Sequence, residues 1–215
     1  MVIVSEFAKI TVIDDDTDDY VPIIQDQTGT PLNKIITVDN FRADIDVRGT
    51  QTIWASSGAW VTRTTNGATY ATLELPTNDV MLVSFNFNTA TSQGVGLWWQ
   101  PPPNYNAGTI RFRPIWTAAS GSGTVIFSLS GRSYADSDAI DQDINTGVQT
   151  STDTLITAND IHIGPYSSAI TLNGGVLAGE PVYLEIRRDI SDTLGVDAKL
   201  IGIEIEYTIS SPTAT

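Results

Sequence analysis

The chain contains no cysteine and only one histidine. Disulfide bonds, thiolate metal sites and cysteine nucleophiles are therefore excluded, so the fold depends on packing and on association between copies. A Ser-His-Asp triad would have to use His162, yet no serine lies in a Gly-x-Ser-x-Gly elbow. A zinc site is equally disfavoured, because no cysteine can complete it. The sequence therefore favours a protein that is not an enzyme and has no cofactor.

Basic residues are also scarce: 11 Lys and Arg face 25 Asp and Glu, for a formal charge of −14. Binding to nucleic acid or to anionic lipid needs clustered Lys and Arg. The closest pairs here are Arg111/Arg113 and Arg187/Arg188. The sequence thus predicts no nucleic-acid partner. The acidity is interpreted as a means of solubility and mutual repulsion, with a specific basic partner as the alternative.

Long apolar runs are missing as well, since none approaches the roughly 18 residues that span a bilayer. We therefore predict no membrane insertion. The N-terminus, MVIVSEFAKITVIDDD, has no basic region, apolar stretch or cleavage site of a signal peptide. We expect the chain to be made in a cytoplasm.

Strand patterns dominate after residue 50, with alternation beginning at Val80, Ile110, Val125 and Val182. Turn residues such as Asn66-Gly67 separate about nine short strands. This pattern predicts an all-β, jelly-roll-like β-sandwich over residues 50–211. In the last strand one face is predicted to be buried and the other, with Glu204 and Glu206, to face solvent. The predicted buried face comprises Ile201, Ile203, Ile205, Tyr207 and Ile209.

Residues 1–46 differ in composition and hold a run of acids at 14–19. Strands are predicted at 20–25 and 34–37, with turn residues between them. Short helical starts are predicted after Ser5 and after Thr37, each of which can cap a turn. These residues therefore form a small N-terminal α+β module, too short to have much core of its own.

Two groups of carboxylates invite a chemical interpretation. Glu204 and Glu206 lie two apart on one strand, about 7 Å from each other, but such pairs are usually solvated charges rather than a glycosidase pair. The segment Asp136–Asp143 begins like an EF-hand loop but lacks the required glycine and final glutamate. A looser calcium site there, or in Asp14–Asp19, stays open, and no metal ligand is assigned.

Three aromatic residues, Trp98, Trp99 and Tyr105, lie within eight positions. Adjacent strand residues point to opposite faces, so at least one of the two tryptophans is predicted to be exposed. Exposed aromatic platforms bind sugars or partner proteins. The favoured alternative places the three rings in the core and in a subunit interface.

Two stretches resemble known families. The first runs from Val4-Ser5-Glu6-Phe7 through Asp19–Gln25 to Lys34–Phe41. It resembles a short module at the N-terminus of tailed-phage fibre and appendage proteins, with Ile35 in place of a second lysine and an insert near residues 28–31. The resemblance implies attachment to the virion. The residues assigned to attachment are Phe7, Tyr20, Pro22, Ile24, Ile36, Val38 and Phe41.

The second stretch is similar to β-sandwich domains encoded in structural regions of bacteriophages. The matching segments are 54–60, 63–68, 102–109, 116–117, 136–141, 152–154, 168–171 and 192–200. The resemblance implies a virion protein. Our first hypothesis is a homotrimeric phage appendage, made in the host cytoplasm: a short fibre, a tail or baseplate component, or a head decoration. It would contact other virion proteins. The alternatives are a module that binds a glycan of the host surface and, less favoured, a polysaccharide-degrading enzyme.

Overall fold

The computed structural model describes residues 49–209 in full and the backbone of residues 20–24 and 33–37. The chain divides into two units, Met1–Val47 and Arg48–Thr215. In the first unit, β1 (Tyr20–Ile24) and β2 (Asn33–Thr37) form an antiparallel pair. Both strands were predicted from the sequence.

Four of the seven residues assigned to attachment lie on this strand pair. Tyr20, Pro22 and Ile24 belong to β1, and Ile36 belongs to β2. Phe7, Val38 and Phe41 lie outside the described residues, as do both predicted helical starts and the acidic run at 14–19. The role of this module in attachment stays a prediction.

The second unit consists of two antiparallel sheets. The front sheet has five strands, in the order β10 (Gln149–Leu155), β9 (Gly123–Ser133), β12 (Val182–Arg188), β7 (Gly94–Trp99) and β4 (Val61–Thr62). The back sheet follows the order β11 (His162–Ile163), β8 (Tyr105–Thr117), β13 (Ala198–Ile209), β6 (Val80–Phe87) and β5 (Thr69–Leu75). A further strand, β3 (Gly49–Ser56), pairs with β13.

The core lies between the two sheets and follows from period-two alternation. Val182, Leu184 and Ile186 of β12 point inward and are fully buried, while the residues between them face outward. Across the gap, the rings of Phe87 and Phe127 meet edge to face at 5.6 Å. The predicted jelly-roll-like β-sandwich is therefore confirmed. Among the described residues, none lies in a helix that is long and apolar enough to cross a membrane.

A β-bulge changes the predicted face of the last strand. Leu200 pairs with Trp116, but Gly202 pairs with the next residue, Ile115, so Ile201 is the extra residue. Ile203 and Ile205 point inward and are fully buried, as predicted, whereas Ile201 is only half-buried. Sequence alternation alone does not mark the bulge, because Ile201 continues the apolar pattern.

Arg188 is buried at the end of β12. It is fully inaccessible and donates two hydrogen bonds to the buried Asp192, at 2.8 and 2.9 Å. It also donates to the carbonyls of Phe87 (2.9 Å), Val196 (2.8 Å) and Leu194. A single guanidinium therefore ties β6 to the loop that leads into β13, with its donors matched by acceptors.

The outer face of the back sheet carries two ion pairs where the sequence predicted solvated carboxylates. Arg113 donates to Glu204 at 2.6 and 2.9 Å, and Arg111 donates to Glu206 at 2.6 Å. Tyr166 donates to Glu204 at 2.8 Å and lies under both guanidinium groups. The prediction that these glutamates face open solvent is therefore wrong, because β8 places an arginine opposite each of them.

This cluster makes stability depend on pH. Desolvation pushes the pKa of Glu204 upward, but hydrogen bonds from Arg113 and Tyr166 outweigh it and hold the pKa below its ordinary value. The stabilisation is complete above the pKa of an unfolded glutamate, about 4.3, and is lost as the pH falls through the lower folded value. We expect Glu204→Gln to cost roughly 1 kcal/mol at pH 7, since the carboxylate is partly exposed.

Urea unfolding at several pH values tests this expectation. Between pH 5 and pH 3 the unfolding free energy of the native chain should fall by more than that of Glu204→Gln. The difference between the two free energies should therefore shrink toward pH 3. A constant difference across that range would show that the ionised carboxylate does not contribute.

Candidate functional site

Trp98 is the most exposed tryptophan in the described part of the chain, with 53% of its surface accessible. It lies on the outer face of β7, because its neighbours Leu97 and Trp99 point to the core side. In the register of the front sheet, Trp98 is opposite Tyr183 of β12. An indole therefore projects from the outer face of the front sheet, near the end of β7.

Two tyrosines hold this indole in place. The rings of Tyr134 and Tyr183 each lie 5.3 Å from Trp98, tilted or edge to face. Tyr134 is buried and donates its hydroxyl hydrogen to the carbonyl of Ile140 at 2.9 Å. Edge-to-face contacts of this kind fix ring orientation. Trp98 is therefore presented to solvent by a packed aromatic cluster, and we name Tyr134, Trp98 and Tyr183 the aromatic ridge.

Gly96 makes room for one part of the ridge. A Cβ placed on Gly96 would overlap the phenol group of Tyr183. The absence of a side chain on β7 thus lets the Tyr183 ring lie across the strand beside Trp98. Desolvation there, followed by the nearby Glu185 carboxylate, raises the pKa of Tyr183, so its hydroxyl stays protonated at neutral pH.

A groove runs along each side of Trp98. One has a volume of about 370 Å³ and is lined by Val61, Arg63, Gly96 and Tyr183. The other has a volume of about 690 Å³ and lies between the indole and the loop after β9. Trp98 lines both grooves, so a long ligand could pass over the ridge and contact the two together.

The larger groove has an acidic and hydroxyl-bearing wall. Asp136, Ser137 and Asp138 are exposed, and Glu180 also lines this groove. The Asp138 carboxylate also accepts the backbone N–H of Ala135 at 3.0 Å, which closes the turn. These groups supply hydrogen-bond acceptors beside an apolar ring, which is the combination that fixes a polar ligand in orientation.

Arg63 is the charged residue among those that line the smaller groove. Its side chain is about one-third exposed and donates to the buried carboxylate of Glu185 at 3.5 Å. Glu185 also accepts from Arg187. The remaining N–H groups of Arg63 can donate toward a ligand in the groove.

Of the three aromatic residues grouped in the sequence, only Trp98 is accessible. Trp99 and Tyr105 are 6% and 3% exposed and pack against each other and against Tyr207. Burial raises the pKa of Tyr105 to about 12. The two tryptophans do point to opposite faces, as alternation requires, so a single site made of all three rings is ruled out in this structure.

The other candidate residues are also placed by the structure. His162 is buried, stacks on Trp116 at 5.1 Å and hydrogen-bonds the carbonyl of Thr157. Asp143 accepts hydrogen bonds from Asn145 and Thr146, and that backbone and side-chain bonding lowers its pKa. Within residues 49–209, no three His, Asp or Glu side chains converge on a point where they could hold a metal ion.

The ridge residues Tyr134 and Tyr183 were missed by the sequence reasoning. Tyr183 lies in the strand that alternation predicts from Val182 onward, and Tyr134 follows the end of β9. The available signal is the alternation itself, which places Tyr183 on the same outer face of β12 as Glu185 and Arg187.

No protein-family model matches the chain, and no curated protein matches it. Among solved structures, xylanase 10B of Clostridium thermocellum, determined as its CBM22-1 and GH10 modules with xylohexaose, is similar at 16% identity and a TM-score of 0.43. That match covers 74% of this chain and 28% of the xylanase chain. A carbohydrate-binding module of family 28, specific for non-crystalline cellulose, is 12% identical with a TM-score of 0.40, over 77% and 96% of the two chains. The family 11 module of C. thermocellum is 11% identical with a TM-score of 0.40, over 74% and 96%.

Proposed function

We propose that the β-sandwich binds a glycan through the aromatic ridge. The observation that carries this proposal is the exposed indole of Trp98, held by two tyrosines between two grooves with polar walls. A pyranose ring has an apolar face of C–H groups and a rim of hydroxyls. The C–H face fits the negative face of an indole, and the hydroxyls need nearby donors and acceptors.

The charges around the ridge favour a neutral or amine-bearing glycan. Asp136, Asp138 and Glu180 line the larger groove, and the whole chain carries a formal charge of −14. Carboxylated or sulfated sugars would be repelled by that wall. The two grooves on either side of Trp98 also favour an oligosaccharide over a monosaccharide. A single sugar unit stacked on the indole would leave both grooves empty.

The test is the affinity of the Trp98→Ala variant. A panel of neutral, amine-bearing and acidic polysaccharides is screened by affinity electrophoresis and then by calorimetry. We expect the native chain to bind members of the first two classes. Removing the indole should weaken binding about 10- to 100-fold, since a fully covered aromatic side chain contributes about 1.5–3 kcal/mol.

Trp54→Ala is the matched control. Trp54 is similarly exposed, at 49%, but lies on the back sheet, on the far side of the molecule's core. The affinity of Trp54→Ala for a short oligosaccharide that occupies one site, measured by calorimetry, should be unchanged, so the control does not depend on contacts between copies. If no polysaccharide binds, or if both variants bind like the native chain, the glycan proposal is wrong.

The second candidate function is a structural one in a tailed-phage particle. Its support is the resemblance of residues 4–41 and of segments within 54–200 to phage structural proteins, together with an exposed apolar hairpin suited to assembly. In that setting the N-terminal module would attach to the virion and the ridge would face the host surface. Mass spectrometry of purified particles, with the copy number of the chain, tests this role directly.

A further inference from the structure

The β5–β6 hairpin diverges from the body of the back sheet. β6 pairs with β13 only through Phe85–Phe87, and its remaining residues pair only with β5. β3 pairs with the next part of β13, Gly202–Ile209. In the described part of the chain, β3 pairs with no other strand. In the described part of the chain, β3 and the hairpin therefore leave a gap between them, with free strand edges on β3, on β5 and on the Val80–Ser84 part of β6.

Both faces of this hairpin are apolar. On one face Leu73 lies opposite Leu82, and Leu75 lies opposite Val80. On the other face Met81 is 58% exposed and Tyr70 is 51% exposed. A hairpin that simply covers a core has one polar face. Here large apolar side chains are exposed on both faces.

β3 offers a matching surface. Ile53 points toward the core side but stays 39% exposed, and Trp54 is 49% exposed on the other side. β3 contains no charged residue, proline or lysine, which are the usual means of protecting a free edge. In the hairpin the charged residues are Glu74 and Asp79 alone.

The free strand edges and the charge of this region suit a second copy of the chain. The seven large apolar side chains that are exposed here leave roughly 600 Å² uncovered in total, divided between the two faces of the sheet, against about 800 Å² per partner in a standard interface. They are Ile53, Trp54, Tyr70, Leu73, Leu75, Val80 and Met81. Two copies with a formal charge of −14 each repel one another. Contact is least costly where acids are few, as they are on this surface.

We propose that β3 and the β5–β6 hairpin form the interface between copies of this chain, with the hairpin of one copy lying along the free edge of β3 of the next. Backbone N–H and C=O groups of β3 and β5 would then pair, as in strand addition. Each copy offers one hairpin and one β3, so two copies can pair reciprocally about a two-fold axis, or the contact can repeat head to tail and close into a ring. A ring of three would be the homotrimer that the sequence analysis predicts.

The absence of native cysteine allows a direct test with the full chain. Thr52 on β3 and Thr72 on β5 are exposed. Differently tagged Thr52→Cys and Thr72→Cys chains are mixed and oxidised, and we expect a cross-linked dimer carrying both tags. Ile156→Cys, at a residue 87% exposed on a distant loop, mixed with Thr52→Cys, is the control and should give only background.

Sedimentation of a second pair of variants provides an independent measurement. The native chain should sediment as an oligomer, and Leu73→Lys with Val80→Lys should weaken association roughly 100-fold. Ile156→Lys with Ile163→Lys places the same charges at exposed residues elsewhere and should leave the oligomer intact. A cooperative thermal transition confirms that each variant is folded.

Two results would overturn the proposal. One is a native chain that sediments as a 23.1 kDa monomer at micromolar concentration. The other is a Thr52→Cys/Thr72→Cys double variant that cross-links within one chain, since the face would then be covered by the chain itself. Either result leaves the glycan site of the front sheet unaffected.

Discussion

Replacing Arg188 by methionine is expected to lower the free energy of unfolding by about 3–5 kcal/mol, the range for breaking a buried ion pair from one side. Asp192 would be left at 2% side-chain exposure without its partner. The carbonyls of Phe87, Leu194 and Val196 would also lose a donor inside the protein. Each unsatisfied buried group adds its own desolvation cost. Urea unfolding followed by tryptophan fluorescence measures the loss.

Arg111→Met is the matched control for this prediction. Arg111 also pairs with a carboxylate, Glu206, but its side chain is 48% exposed. Exposed pairs contribute about 0–1 kcal/mol, so this variant should stay close to the native chain. The double variant Arg188→Met/Asp192→Leu should recover part of the stability, because it leaves no buried charge. If Arg188→Met loses no more unfolding free energy than Arg111→Met, the Arg188 guanidinium does not stabilise the loop between β12 and β13.

The sequence predicts the sandwich because alternation is a local property. The inward residues of β12, such as Leu184 and Ile186, can be read from a period of two without knowing their neighbours. The position of Trp98 relative to Trp99 follows in the same way. What each exposed residue contacts depends on which strands pair, and that is decided by residues far apart in the chain.

The features missed by sequence analysis depend on that pairing. Arg188 contacts Phe87, 101 positions away, and Glu204 contacts Arg113, 91 positions away. Composition and spacing treat these arginines as scattered positive charges. The aromatic ridge is similar, since Tyr183 reaches Trp98 only because β12 lies beside β7. The bulge at Ile201 is missed for another reason. An isoleucine at this position is compatible with the apolar alternation of β13 whether or not the strand contains a bulge.

Ile205→Ala is expected to cost about 2–5 kcal/mol, from lost burial and from the cavity that remains. Ile205 is fully inaccessible and lies opposite Phe112 in the centre of the back sheet. For a chain of this size the melting temperature should fall by roughly 5–15 °C.

Ile201→Ala is the control on the same strand, with the same atoms removed. Ile201 lies at the bulge and is half-buried, so less apolar surface is uncovered and little cavity forms. Its cost should stay near 1 kcal/mol. Uninterrupted alternation, in contrast, would place both isoleucines on the same buried face and make the two variants equally harmful. Equal losses in calorimetry would therefore show that the strand has no bulge in solution, and a clear gap between the two variants would show that β13 changes phase between Leu200 and Gly202.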